Sequence, residues 1–291
     1  MKKIVGVLGV TFCLMLAGCA SQKQDTIEKR NTDISKDLTY DHSMELEYAK
    51  MFAVDYYQND YALVTIADDG KYLIVPEGES VPEDMDKDIT VLQQPIQNIY
   101  LAASAAMDMF VATDALDAVR FSSLKADGWY IEEAKKAMED GDIIYAGKYS
   151  APDYEMILNE NCGLAIENTM ILHTPEVKEQ MEKFNIPVLV DHSSYETNPL
   201  GRTEWVKLYG LLTGHEDQAE QAFDAEAKAF EQVSDRDATG KTVAFFYITT
   251  NGEANVRKSA DYLPKMIELA GGSYIFDDLG DEEEATSTVS L

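Results

Sequence analysis

Residues 163–190 read GLAIENTMILHTPEVKEQMEKFNIPVLV, two apolar runs on either side of an amphipathic segment. The runs GLAIE (163–167) and IPVLV (186–190) have the length of buried strands. The segment PEVKEQMEKF (175–184) has proline at its first position, which is typical of a helix start. This alternation of strand and helix predicts a parallel sheet that is covered by helices on both faces.

The same alternation continues upstream and downstream of this unit. Further strands are predicted at 96–103, 118–121 and 143–145, and further helices at 104–112, 130–139, 153–159 and 203–213. Upstream, residues 52–76 are rich in aromatic and β-branched residues. The residues Asp68-Asp69-Gly70 supply a turn there, so this stretch predicts a β-hairpin. Residues 77–88 are rich in proline and acidic residues and predict a loop.

Residues 216–233 (EDQAEQAFDAEAKAFEQV) predict one long amphipathic helix. Its apolar residues form a single narrow stripe, which consists of Ala219, Ala222, Phe223, Ala227 and Phe230. At about 1.5 Å per residue the helix is roughly 27 Å long, about the width of a lobe. A strand (243–249), a helix (262–270) and a short strand (274–276) follow it.

The predicted organisation is an α/β chain of two Rossmann-like lobes joined by a single long helix. Residues 41–214 form the N-terminal lobe with its added hairpin, residues 215–236 the connecting helix, and residues 237–291 a partial C-terminal lobe. One βα unit cannot bury both faces of its own strand. We therefore expect the C-terminal lobe to be truncated.

The first residues have the features of an export signal. Lys2 and Lys3 precede the uncharged apolar stretch 4–17, and residues 1–18 are predicted to be a signal peptide. The junction Leu-Ala-Gly-Cys at 16–19 resembles a bacterial lipobox, in which Cys19 is lipidated. Residues 19–40 are polar and predict a flexible tether. We expect a lipid-anchored protein on the extracellular or periplasmic side of the cell membrane.

The composition narrows the class of partner. Hydrophobic residues make up 45% of the chain, which excludes a disordered or fibrous protein. There are 24 basic and 53 acidic residues, a formal net charge of −29. Nucleic acid is therefore excluded as a partner, because phosphate contacts need clustered Lys and Arg. Beyond the predicted lipid site, the exported part has only Cys162, which we interpret as a small core residue.

Motifs for chemistry are mostly missing, and we expect no enzyme. The chain has no G-x-S-x-G, H-E-x-x-H or C-x-x-C motif. ATGKT at 238–242 mimics the end of a phosphate-binding loop, but Asp235 stands where the first glycine belongs and the segment precedes a strand. The four histidines are widely spaced, so no metal site is predicted.

From Gln97 to Leu291 the chain resembles substrate-binding proteins of ABC importers, in the class that carries iron-siderophores, haem and vitamin B12. The resemblance rests on segments in the family's order: IQNIYLAASAAMDMF, DAVRFSS, PDYEMIL before GLAIE, VKEQMEKFNIPVLV, YETNPLGRTEWVKLYGLLTG, the long helix, and VAFFYIT leading to IELAGGSYIF. It implies two α/β lobes with ligand in the cleft between them. The 52–76 hairpin has no counterpart in the family pattern.

The resemblance also implies partners. Such proteins deliver their ligand to an ABC permease and its ATPase, and they use one glutamate per lobe to dock. The first-lobe glutamate corresponds to Glu155 in PDYEMIL. We expect a monomer that captures a small molecule, an iron chelate, haem or a cobalamin, and holds no cofactor of its own. A solvated helix residue without a partner is the alternative for Glu155.

Ligands of open α/β sheets bind beyond the carboxyl ends of the strands. This rule and the aromatic residues nearby predict the ligand-binding residues Ser104, Trp129, Tyr130, Tyr149, Glu167, Asn168, Tyr195, Arg202 and Tyr247. Tyr195 could wall the cleft or ligate haem iron. Arg202 could bind a ligand carboxylate, make a cation–π contact, or pair with Glu196 or Glu204.

Two other classes of function stay open at this point. A chelatase-like α/β enzyme would need an acid–base pair in the cleft, for which Glu167 and His192 are the candidates. A surface lipoprotein without a transport role would have no ligand cleft.

Overall fold

The computed structural model describes residues 33–234, 237–279 and 288–290. The predicted signal peptide and Cys19 lie outside the described residues. The strands are β1 (Tyr40–Ser43), β2 (Phe52–Tyr57), β3 (Ala62–Ile66), β4 (Lys71–Val75), β5 (Ile89–Gln93), β6 (Ile99–Leu101), β7 (Val119–Ser122), β8 (Ile144–Tyr145), β9 (Gly147–Lys148), β10 (Ala151–Pro152), β11 (Ala165–Asn168), β12 (Val188–Asp191), β13 (Thr242–Val243), β14 (Phe246–Ile248), β15 (Ala254–Arg257), β16 (Ser273–Tyr274) and β17 (Thr288–Ser290). The α-helices are α1 (Met107–Ala112), α2 (Glu132–Asp140), α3 (Tyr154–Asn159), α4 (Pro175–Lys183), α5 (Pro199–Glu204), α6 (Val206–Thr213), α7 (Glu216–Ser234) and α8 (Tyr262–Leu269).

The predicted parallel sheet is confirmed as a five-stranded sheet in the order β12-β11-β6-β7-β8, in which all neighbours are parallel. Ile166 in β11 lies opposite Leu189 on one side and Leu101 on the other. These three side chains belong to one buried cluster, and alternate residues such as Ala165 and Val188 belong to a second. Both faces of the sheet are therefore covered, as a parallel sheet requires.

The hairpin predicted at residues 52–76 is present as the antiparallel pair β3 and β4, with its turn at Asp68-Asp69-Gly70, but the prediction missed the separate strand β2 ahead of it. Three antiparallel strands, β2, β3 and β4, occupy this stretch, within a five-stranded sheet in the order β1-β2-β3-β4-β5. The stretch 52–67 contains a turn at Gln58–Asp60, where Asn59 and Asp60 have positive φ. Asn and Asp tolerate this left-handed backbone, which separates β2 from β3.

The predicted tether is shorter than residues 19–40. Leu38 is 2% exposed and packs with Tyr57 and Tyr61 against the first sheet. The backbone N–H of Lys36 donates to the Asp84 carboxylate at 3.0 Å. Residues 33–40 therefore form part of the folded body, because Leu38 supplies an apolar anchor in an otherwise polar segment.

The turn between β3 and β4 fastens the first sheet to the edge of the parallel sheet. Asp69 forms an ion pair with Lys178 of α4 at 2.6 Å and accepts the backbone N–H of Val190 at 3.1 Å. The Tyr72 hydroxyl donates to the carbonyl oxygen of Val188 at 2.8 Å. Because β12 is an edge strand, these contacts occupy backbone groups that would otherwise be open to pairing.

The long helix forms as predicted, as α7, and packs against α6. Ala219 and Phe223 of its apolar stripe are buried, together with Val206. A Cβ atom at Gly210 would lie 2.4 Å from the Cβ of Ala219, so glycine is needed for this close helix contact. None of the helices among the described residues is both long and apolar enough to cross a membrane.

The C-terminal segment, residues 237–279 and 288–290, differs from the prediction in its first strand. The run 243–249 is divided between β13, which pairs with β16, and β14, which pairs with β15. Three side chains of β14 are more than half exposed: Phe246, Tyr247 and Ile248. The predicted helix at 262–270 is present as α8 and is capped by the Asp261 carboxylate.

Candidate functional site

The carboxyl edge of the parallel sheet carries several of the predicted ligand residues. Ser104 opens a short 3₁₀ turn directly after β6 and is exposed. Tyr195 follows β12, is partly buried, and its ring centroid lies 5.6 Å from that of His192. Tyr130, in the loop between β7 and α2, is 96% exposed. These side chains are accessible on the edge where ligands of open α/β sheets bind.

Trp129 is a core residue, not part of a cleft wall. Its side chain is 6% exposed, and its indole N–H donates to the Ser122 hydroxyl oxygen at 3.0 Å. A tryptophan whose N–H has an internal acceptor can be buried without an unpaired donor. Sequence reasoning placed Trp129 and Tyr130 together, but the chain turns one inward and the other outward.

Glu167 occupies the carboxyl end of β11 and is completely buried. Neither of its carboxylate oxygens has a hydrogen-bond partner among the described residues. Burial alone raises the pKa of this carboxyl from 4.5 to about 8, because the charged form is poorly solvated. At neutral pH we therefore expect Glu167 to be a neutral acid that lies out of reach of a solute in this conformation.

Asn168 uses its side chain to hold the fold. Its Nδ2 group donates to the carbonyl oxygen of Ala102 at 2.9 Å, and its Oδ1 atom accepts the backbone N–H of Met170 at 2.9 Å. Both polar ends of the amide are engaged, so the predicted ligand contact of Asn168 would compete with these two bonds.

His192 follows β12 and is 3% exposed. Burial lowers the pKa of its imidazole, and its Nε2 atom has no partner in the described part of the chain. No hydrogen bond joins it to Glu167, so the chelatase-like alternative finds no assembled acid–base pair at these residues. Within the described ranges, no three His, Cys, Asp or Glu side chains are placed to hold a metal ion.

Arg202 on α5 contacts α8. Its Nε group donates to the carbonyl oxygen of Glu196 at 3.0 Å, and a terminal nitrogen donates to the carbonyl oxygen of Ser194. The guanidinium carbon lies 3.5 Å from the centroid of the Tyr262 ring. Of the predicted alternatives for Arg202, the structure shows the cation–π contact, made with a tyrosine of the chain itself.

The carboxylates of Glu196 and Glu204 hold the loop between β1 and β2. Glu204, with 0% exposure, accepts the backbone N–H groups of residues 47–49 at 2.7–2.9 Å. Glu196 accepts those of residues 50 and 51 at 2.8–3.1 Å, and the indole N–H of Trp205 at 3.1 Å. Five consecutive N–H groups are thus bound by two buried acids. Sequence reasoning considered these acids only as partners of Arg202.

A polar cavity of about 560 Å³ lies beside this loop. One wall consists of Glu47, Tyr48 and Lys50 from the loop, with Thr197 and Asn198 ahead of α5. The rest of the lining belongs to the C-terminal segment and includes Lys265 and Glu268 of α8. None of the predicted ligand residues lines this cavity. Sequence reasoning missed it because its lining comes from three separate segments of the chain, within residues 47–50, 197–198 and 259–277.

The remaining predicted residues lie elsewhere. Tyr149 is partly buried against the second core cluster, and Tyr247 in β14 is 56% exposed. Glu155 is exposed in the first turn of α3, which begins with Asp153 as its N-cap. Glu155 takes part in none of the ion pairs found in the described ranges.

Comparison of the sequence finds relatives in an archaeon. The chain is 25% identical to an uncharacterized lipoprotein of Methanocaldococcus jannaschii over 313 aligned positions, which cover 96% of this chain and 74% of the relative. A second uncharacterized lipoprotein of that organism is 21% identical, with coverage of 94% and 73%. No family model matches the chain.

Solved structures give the wider comparison. The periplasmic haem-binding protein HutB of Vibrio cholerae aligns with a TM-score of 0.53 and 17% identity, over 67% of this chain and 70% of that one. A periplasmic binding protein from Veillonella parvula gives 0.53 and 15%, over 68% and 65%. An ABC transporter substrate-binding protein from Listeria monocytogenes gives 0.50 and 14%, over 66% and 68%. The chain therefore has the α/β fold of the periplasmic binding proteins, and its resemblance to that class is confirmed at the level of the fold.

Proposed function

We propose that this chain is an extracytoplasmic solute-binding lipoprotein, which captures a metal chelate and hands it to an ABC permease. The observation that carries the proposal is the fold match over about two thirds of the chain. The matched proteins include one named as haem-binding and one named as an ABC transporter substrate-binding protein. In this function the protein makes and breaks no covalent bond.

The proposed architecture is two lobes with the ligand between them. Residues 41–214 form the first lobe, α7 is the connecting helix, and the C-terminal segment belongs to the second lobe. A continuous helix between lobes resists bending more than a loop would. We expect closure around the ligand to be small, with the connecting helix unchanged between free and bound states.

The proposed anchor is a lipid on Cys19. The lipobox-like junction at residues 16–19 supports it, as do two relatives named as lipoproteins. Cys19→Ser is expected to shift the protein from the membrane fraction to the soluble exported fraction, as measured by fractionation of cells that express the full chain. Equal membrane retention of the wild type and the variant would contradict the anchor.

The proposed permease contact is Glu155. It is exposed, lies in the first turn of a short helix, and has no ion-pair partner within the described part of the chain. Such a carboxylate can form a charge-assisted contact with a permease arginine. Glu155→Ala is expected to reduce uptake at least tenfold and to leave ligand affinity within twofold, measured by transport into cells and by titration of purified protein.

Glu132→Ala is the matched control, because Glu132 is also exposed in the first turn of a helix. It should change neither uptake nor affinity. If Glu155→Ala lowers affinity, Glu155 belongs to the ligand site; if it changes neither quantity, docking uses another surface.

The ligand is tested directly by mass spectrometry of small molecules that remain bound during purification of the full chain. A retained iron or cobalt chelate supports the proposed cargo. Purified protein that carries no chelate, and shows no thermal shift with siderophores, haem or cobalamins, would refute it.

A further inference from the structure

We infer that the cavity between the loop at residues 47–50 and α8 is the ligand site, and that it selects a hydrophilic solute bearing carboxylates. This inference rests on the proposed solute-binding function and names the substrate class. The loop lies between β1 and β2, in the part of the chain that precedes the parallel sheet. The segment ahead of the parallel sheet would therefore contribute residues 47–50 to ligand recognition.

The first step in the argument is the rigidity of the loop wall. The backbone N–H groups of residues 47–51 are all bound by Glu196 and Glu204. A loop whose backbone is fixed in this way loses little further freedom when a ligand binds. Such preorganisation favours affinity because less ordering entropy is lost on binding. The side chains of Glu47, Tyr48 and Lys50 are thus presented from a fixed backbone.

The second step is the chemistry of the lining. Lys50 takes part in none of the ion pairs among the described residues, in a chain with a net charge of −29. Lys265, on α8, has only an exposed partner, Glu268, at 3.5 Å. The two ammonium groups can bind a ligand carboxylate by charge-assisted hydrogen bonds. The cavity is also lined by the carboxylates of Glu47, Glu268 and Asp277, so a solute that fits it must carry hydroxyl or other donor groups for these acids beside its own carboxylates. Thr197 and Asn198 add groups that can bond to ligand hydroxyls.

The third step is what the lining excludes. Five of the ten lining residues are charged, and the one aromatic side chain, Tyr48, already packs against Phe223 with ring centroids 6.2 Å apart. Among the residues that can ligate haem iron, only a tyrosine, Tyr48, lines the cavity; no His, Met or Cys does. The apolar ring faces of a porphyrin or corrin would remove these charges from water without pairing them, at a high free-energy cost. The cavity therefore favours a small polar solute over haem or a corrin.

The fourth step is the connection between the walls. Arg202, on α5, stacks on Tyr262 at the start of α8 with 3.5 Å between the guanidinium carbon and the ring centroid. This contact joins α5, which begins directly after Asn198, to α8, which carries Lys265. A change in the spacing between the walls must therefore alter or break the Arg202–Tyr262 contact.

The test is isothermal titration of the full chain with four probes: citrate, ferric citrate, haemin and cyanocobalamin. The double variant Lys50→Ala/Lys265→Ala is compared with Lys87→Ala, which removes an exposed lysine from the loop between β4 and β5. We expect citrate or ferric citrate to bind the wild type and Lys87→Ala with equal affinity. The double variant should bind at least tenfold more weakly, and haemin and cyanocobalamin should not bind.

The outcomes separate this inference from the proposed function. Binding of haemin or cyanocobalamin, or binding of ferric citrate that does not depend on the two lysines, would overturn the inferred site while chelate capture stands. Lysine-dependent binding of free citrate without binding of any chelate would support the site and refute the chelate cargo. Absence of binding by all four probes would overturn the inference.

Discussion

Glu204→Ala is expected to lower the free energy of unfolding by about 3–5 kcal/mol, the largest effect of any single substitution proposed for this chain. The Glu204 carboxylate is fully buried and accepts three backbone N–H groups, from residues 47–49. Alanine leaves three donors without this acceptor, of which the Ala49 N–H is buried and the other two are partly buried, and each buried unpaired donor costs roughly 1–3 kcal/mol. It also leaves the buried ammonium of Lys207, 3.7 Å from Glu204, with one carboxylate partner fewer.

Urea unfolding measures the effect, and Glu226→Ala is the control. Glu226 lies on the exposed side of α7 and should change the unfolding free energy by less than about 0.5 kcal/mol. Glu204→Gln should fall between the control and the alanine variant, because its amide keeps one acceptor oxygen. A loss below about 1 kcal/mol for Glu204→Ala would show that water replaces the carboxylate and that the loop is not held by it.

The same acid links stability to recognition. If the loop at residues 47–50 is a wall of the ligand site, loosening its backbone should weaken binding as well as folding. The stability defect and the affinity defect of Glu204→Ala should then appear together, whereas Lys50→Ala should affect affinity alone. This contrast separates the carboxylate that positions the wall from the side chain that would contact the ligand.

The parallel sheet could be predicted because its strands are continuous apolar runs divided by helices with clear start signals. GLAIE and IPVLV needed no knowledge of distant partners, since a sheet buried on both faces favours continuous apolar runs, with Glu167 as the exception at the end of β11. The long helix could also be predicted, because Ala219, Phe223 and Phe230 form one apolar stripe along it. The turn at Gln58–Asp60 was missed because the aromatic and β-branched residues on both sides favour one continuous strand, and only three polar residues interrupt them.

The site was harder to predict than the fold, because its groups are joined only in three dimensions. Trp129 and Tyr130 are neighbours in sequence, yet one is 6% exposed and the other 96%. The bonds from Glu196 and Glu204 to residues 47–51 span about 150 residues, and no local pattern signals them. The rule on strand ends located an edge of the sheet, but it could not show which side chains on that edge would be buried.

Glu167 is expected to make folding stability fall as pH rises from about 4.5 to about 8. Its pKa is 4.5 in an ordinary environment and about 8 in the folded protein, where burial disfavours the charge. In this window the folded state holds a proton that the unfolded state has released, so increasing pH favours unfolding. The slope is about 1.4 kcal/mol per pH unit, and it vanishes below 4.5 and above 8, where both states carry the same charge at this residue.

Glu167→Gln isolates this contribution, because glutamine has nearly the same shape and does not titrate. Urea unfolding of both proteins at pH 5, 6, 7 and 8 should show the variant gaining stability over the wild type with each step. Glu132→Gln, at an exposed position on α2, should follow the wild-type curve. The quantity to compare is the difference between the wild-type and Glu167→Gln curves. Burial also raises the pKa of Asp191 and of Glu196, and these two acids change the stability of both proteins with pH. Parallel curves for Glu167→Gln and the wild type would mean that the carboxyl is already ionised in the folded protein at pH 5, contrary to its burial without a partner.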